Sequence, residues 1–100
     1  MKYLVVSKPR GNLPPAMAPN ILKGAKAWVN AGIKNRSVEY FYAFPTGGGV
    51  GVANADSHEA LMKTMRENPA FPFLDMEVHP LVDFNESIDS AVQMFQKMAT

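Results

Sequence analysis

The stretches Asn54-Ala-Asp-Ser-His-Glu-Ala-Leu61 and Asn68-Pro-Ala-Phe-Pro-Phe-Leu-Asp-Met-Glu-Val-His79 decide how this chain folds. In the first, Asp56 followed three residues later by Glu59 reads as a capping box, opening a helix that runs from Ser57 to about Asn68. Ala60, Leu61, Thr64 and Met65 then share its inward face. Pro69 and Pro72 break it, since neither donates a backbone hydrogen bond and each ring crowds the preceding turn. Residues 74–79 alternate strictly, Leu74, Met76 and Val78 against Asp75, Glu77 and His79. A strand of that period has one face in a core and the other toward water, a cavity or a partner. Taken as residues 74–84, it contains Pro80, which belongs at a sheet edge or a bulge.

Upstream, Lys2 to Lys8 alternates as a strand, with Leu4 and Val6 on one face and Tyr3, Val5 and Ser7 on the other. A Pro/Gly loop over 9–15 leads into an amphipathic helix whose stripe is Ile21, Leu22, Ala25, Trp28, Val29 and Gly32. Lys23, Lys26 and Asn30 take the opposite side, Pro19 falls in the first turn, and Gly32 is the expected stop. The aromatic run 38–44 and the run 50–54 are two strands turned by Pro45-Thr-Gly-Gly-Gly49. Those glycines lack the Walker spacing and precede a strand, so they read as a hairpin turn. A last helix, capped by Asn85 or Ser87, aligns Ile88, Val92, Phe95 and Met98. The order is an α+β, ferredoxin-like β-α-β-β-α-β with an extra C-terminal helix, one domain over 1–100. Two helices cover one sheet face. The other face, expected to hold Val5, Leu81, Tyr or Phe residues and the charged row, would be wet in a monomer. Pairing two such sheets makes a dimeric α+β barrel, so a homodimer or larger homo-oligomer is expected.

The balance of residues excludes several functions. With 47% hydrophobic and 19% charged residues the chain folds rather than staying disordered. No cysteine and only His58 and His79 leave little from which to build a metal site, and no cofactor is expected. No run approaches the roughly 20 apolar residues of a membrane span, and the N-terminal run is too short for a signal peptide, so the expectation is a cytoplasmic protein without membrane contact. Residues 1–38 hold seven bases and no acid, while residues 39–100 hold nine acids against three bases. The bases are scattered rather than interleaved with stacking aromatics, which argues against nucleic acid. They either neutralise the acidic half on folding or surround a pocket mouth that draws in an anion.

Glu77 and His79 stand at i and i+2, on one face and about 6–7 Å apart along the strand. A carboxylate beside an imidazole is a workable general acid–base pair; solvated rim side chains, or a Glu paired with a base from the N-terminal half, is the plainer reading. Asp75 reads as a solvated residue. Tyr3, Tyr40 and Tyr42 supply hydroxyls on an apolar wall if they face a cavity, and are core if they face the helices. Trp28 is a core residue or a ligand platform, Arg36 a surface charge or a carboxylate clamp, and His58 an exposed, incidental residue.

From Asp56 to Ile88 the chain resembles the muconolactone isomerase family. The likeness lies in Ser57-x-Glu-Ala-Leu61, a proline about ten residues on, and Phe71-Pro-Phe-Leu-Asp-Met-Glu-Val78. It implies the dimeric barrel and a cofactor-free proton shift in a small-molecule substrate, in a pocket between subunits. The family's first helix carries acid, absent here, and its hairpin carries bulkier polar residues where Gly47, Gly48 and Gly49 stand. That implies altered chemistry: an isomerase or cyclase on a small lactone, enone or aromatic acid. Glu77 and His79 would move the proton, Tyr42 or Tyr40 would polarise a carbonyl, and Tyr3, Arg36 and Trp28 would help hold the substrate. The alternatives are a cofactor-free or haem/quinol monooxygenase of the same barrel class, using Asn54, Trp28 and His79, and a non-catalytic small-ligand-binding protein.

Overall fold

Four antiparallel strands form one sheet in the order β2-β3-β1-β4: β1 (Lys2–Pro9), β2 (Val38–Ala43), β3 (Gly49–Asn54) and β4 (Leu74–Leu81). The computed structural model describes residues 1–99. Helices α1 (Ala18–Asn35) and α2 (His58–Arg66) join the strands as the ferredoxin-like plan requires, and α3 (Phe84–Ala99) follows β4. Pro80 is accommodated because β4 is an edge strand.

Register fixes the two faces. Tyr3, Val5 and Ser7 pair with Ala53, Gly51 and Gly49 on one side of β1, and with Pro80, Val78 and Met76 on the other. Tyr3, Val5 and Leu61 of α2 are buried together, with Met65, Met76 and Val78 packed on them. Val5 therefore lies under the helices and not on the open face, because it shares the strand parity of Tyr3. The open face carries Leu4, Val6, Val50 and Val52, flanked by Glu77 and His79 on β4 and by Tyr40 and Tyr42 on β2. An irregularity between Val38 and Tyr40 decides the tyrosines. Val38 pairs with Ala53 on the helix side, yet Tyr40 pairs with Val52 on the open side. The extra residue turns the following side chains over.

Several helix boundaries differ from expectation. Ser57, not Asp56, caps α2, its Oγ accepting from Ala60 N at 3.1 Å, and the helix ends at Arg66. Gly32 lies inside α1 and does not stop it; Arg36 does, in the left-handed conformation at φ 68°. Gly32 is needed for space, since a Cβ there would stand 2.7 Å from Val38 Cγ2. Leu22, expected inward, is exposed. β4 stops at Leu81 because Asp83 caps α3, its carboxylate accepting from Glu86 N at 3.0 Å, ahead of both Asn85 and Ser87.

α3 contains no buried residue, and the molecule measures 66 × 27 × 23 Å. Its radius of gyration, 17.3 Å, exceeds the ~13 Å of a 100-residue globule. The apolar stripe Phe84, Ile88, Val92, Phe95 and Met98 is exposed along this projecting helix.

Candidate functional site

The alternation of β4 does what its sequence requires. Leu74, Met76 and Val78 turn toward the helices, and Asp75, Glu77 and His79 turn away. Glu77 Oε2 lies 3.6 Å from His79 Nε2, both side chains more than half exposed. Asp75 is paired with Arg10, whose Nε donates to Oδ1 at 2.6 Å, so it belongs to a surface ion pair. Lys2 and Glu39 form another at 2.8 Å. At these two points the basic N-terminal segment and the acidic remainder neutralise each other. The Lys2 ammonium, by donating to Glu39, holds that carboxyl below its ordinary value.

Across the open face the pairing gives two rows, Tyr40–Val52–Leu4–His79 and Tyr42–Val50–Val6–Glu77. Tyr40 and Tyr42 stack at 5.7 Å between ring centroids and are exposed, Tyr42 by 68%. The tyrosine pair and the acid–base pair thus share a face but sit on opposite sheet edges, three strand spacings or roughly 14 Å apart. Leu4, Val6 and Val50 between them are half-buried. The result is an apolar floor with a donor pair at one side and an ionisable pair at the other.

The other sequence-derived residues lie elsewhere. Tyr3 is on the helix side and 1% exposed, its hydroxyl hydrogen-bonded to His58 Nδ1 at 2.6 Å. No ligand reaches it, because the core occupies its ring and His58 its hydroxyl. His58 is exposed, yet it satisfies the polar atom of the most deeply buried side chain and makes an edge-on ring contact with it. It is structural rather than incidental. Only the β1–α2 juxtaposition reveals this pair, which is separated by 55 positions. Arg36 is the exposed C-cap of α1, leading into β2, with its backbone carbonyl accepting from Asn54 Nδ2 at 3.3 Å. It stands at the sheet edge away from Glu77 and His79. Trp28 lines a cavity of about 70 Å³ between helices and sheet. Asn54 and Trp28 both line that cavity, but His79 is on the open face and apart from them.

No acidic or histidine side chain lines the cavity beside Trp28. The Glu77–His79 pair and the enclosed apolar space are therefore on opposite sides of the sheet. Among the described residues no cluster of three His, Asp or Glu side chains could hold a metal ion. Among them, too, no helix is long and apolar enough to cross a membrane.

This arrangement of sheet and helices matches solved structures. The fold is that of muconolactone isomerase. The two superpose with a TM-score of 0.75 at 22% identity, over 83% of this chain and 90% of the isomerase. A second match is 5-chloro-2-hydroxyhydroquinone dehydrochlorinase from Burkholderia phenoliruptrix, solved with 2,5-dihydroxybenzoquinone. It gives a TM-score of 0.66 at 11% identity, over 86% of this chain and 98% of that one. Comparison with protein-family models and with curated proteins finds no match. At these identities the likeness concerns the fold.

Proposed function

We propose that this protein is a cofactor-independent enzyme that moves a proton within a small, partly apolar lactone, enone or aromatic acid. The site is a pocket closed when the open sheet faces of two subunits meet. The observation that carries the reading is the Glu77–His79 pair, 3.6 Å apart beside the apolar middle of the open sheet face, Leu4, Val6, Val50 and Val52. One partner takes the proton beside the carbonyl and the other returns it at the far end of the conjugated system, so the net change is isomerisation. Bringing a second sheet over the face, about 10 Å away, removes water and strengthens that exchange.

A single chain holds Tyr42 too far from Glu77 to serve the same small molecule. A two-fold axis parallel to the strands lays the second β2 above β4, so the tyrosine that polarises the carbonyl is Tyr42 of the partner subunit. The projecting α3, with its uncovered stripe, supplies further surface for assembly. The isomerase and the dehydrochlorinase that share the fold support the reading, since both are named for reactions of small oxygenated rings.

The test is deuterium exchange. A panel of unsaturated lactones, enones and aromatic acids in heavy water is followed by proton NMR with wild type and with Glu77→Gln/His79→Asn. Exchange with wild type, lost in the double variant at unchanged circular dichroism and sedimentation, is expected. Full exchange in the double variant overturns the assignment.

A further inference from the structure

Glu77 Oε2 and His79 Nε2 stand 3.6 Å apart, too far for a hydrogen bond. Among the described residues His79 has no other polar partner, so its lone pair is available. The same holds for the carboxylate. Asp75 is taken by Arg10 and Glu39 by Lys2, whereas no Lys or Arg side chain lies within ion-pair distance of Glu77. Zinc bound tetrahedrally, at roughly 2.0–2.2 Å from an imidazole nitrogen and a carboxylate oxygen, holds those donors ~3.4 Å apart. The pair is set to that spacing within a few tenths of an ångström, which two exposed side chains absorb easily.

The strand keeps the two donors together. Val78, between them, packs on the buried cluster of Tyr3, Val5 and Leu61. β4 is also paired with β1 from end to end, with Val6 opposite Glu77 and Leu4 opposite His79. Those two neighbours are apolar and offer no competing hydrogen bond. On its other side β4 has no neighbouring strand, so there is room for an ion that keeps part of its water.

We infer that Glu77 and His79 chelate a divalent transition-metal ion of the zinc type. Two protein ligands leave the remaining coordination positions to water, so the ion is exchangeable and is not a resident cofactor. An imidazole nitrogen beside a carboxylate oxygen suits zinc, nickel and copper. It does not suit magnesium or calcium, which take oxygen ligands. A bound ion occupies the His79 lone pair and the Glu77 carboxylate together, so it blocks any proton transfer through them. That inhibition rests on the acid–base assignment of the pair; the chelate itself does not.

His58 is the control within the molecule: its Nδ1 is bonded to Tyr3, and no carboxylate lies within ion-pair distance of it. Zinc chloride is titrated into the ¹⁵N-labelled protein at mildly alkaline pH while the ring signals of both histidines are followed by NMR. The His79 ring is expected to shift saturably below millimolar zinc, and the His58 ring only at concentrations about tenfold higher, the advantage of one added ligand at ~1.4 kcal/mol. Glu77→Gln should weaken the His79 response by a similar factor, and magnesium should leave both rings unmoved. Equal responses of the two histidines, unchanged affinity in Glu77→Gln, a matching shift with magnesium, or no response at millimolar zinc would each overturn the inference. In the deuterium-exchange assay zinc should stop turnover, and a chelator should restore it. Exchange that continues with the pair loaded would overturn the acid–base assignment while leaving the chelate standing.

Discussion

We predict that this protein associates through α3, and that replacing Ile88 and Phe95 together by Asp breaks that association without unfolding the chain. Phe84, Ile88, Val92, Phe95 and Met98 are 73%, 45%, 48%, 61% and 73% exposed. Together they leave roughly 500 Å² of apolar surface in water, worth ~12 kcal/mol at ~25 cal/mol per Å² if fully covered. A symmetric pair covers two such helices, so the gross gain of ~24 kcal/mol exceeds the ~4–15 kcal/mol cost of association. The remainder, ~9–20 kcal/mol, is above the ~8 kcal/mol that corresponds to a micromolar dissociation constant. Ile88 and Phe95 supply roughly 200 Å² of that surface per helix, or ~10 kcal/mol for the pair, before the penalty of burying carboxylates. Sedimentation velocity at micromolar concentration reads the result, and circular dichroism checks that the sheet survives. Because no residue of α3 is buried, the sheet and its two covering helices should fold without it. A wild-type protein that sediments as a single chain would refute the reasoning. A double variant that stays associated would show that the open sheet face alone holds the assembly.

In an exposed helix Gly32→Ala would gain about 1 kcal/mol, but here the added Cβ would stand 2.7 Å from Val38 Cγ2 and 3.2 Å from Ser37 Oγ. Val38 is buried and β-branched, so it cannot swing aside. Overpacking costs ~1–3 kcal/mol, so urea titration should show a loss of about 1 kcal/mol, partly recovered by adding Val38→Ala; a raised midpoint would contradict the packing. For Glu39 the folded carboxyl titrates below its ordinary value because Lys2 donates to it. The pair therefore stabilises the fold above the ordinary carboxylate range, and the benefit disappears as pH falls through the lowered folded value. Thermal melts of wild type and Lys2→Gln should differ at neutral pH and converge on acidification. A difference that persists in strong acid would remove the ion pair as its cause.

The element order, the edge position of Pro80 and the two faces of β4 were all legible in the sequence, because period-two alternation and proline chemistry act within a few residues. The fold class followed from the order of those elements. Helix ends were less legible: Asp56 and Ser57 can both cap, and only the backbone geometry at Ser57 shows which side chain reaches Ala60 N. The same local degeneracy hid Asp83 as the start of α3.

Which face of each strand would be covered was a different kind of question. Alternation separates Tyr3 and Val5 from Leu4 and Val6 but carries no sign, so pairing with Ala53 and Gly51 had to decide it. The tyrosines were beyond alternation altogether. Val38, Tyr40 and Tyr42 share one parity in sequence, yet the irregularity before Tyr40 sends Val38 into the core and the tyrosines to the open face. The Tyr3–His58 bond and the cavity beside Trp28 likewise join residues far apart in the chain. The sequence by itself determined which residues alternate and where the chain breaks and turns, because those are short-range forces. The tertiary structure decided which of them meet, because register and a single bulged residue reverse a whole face.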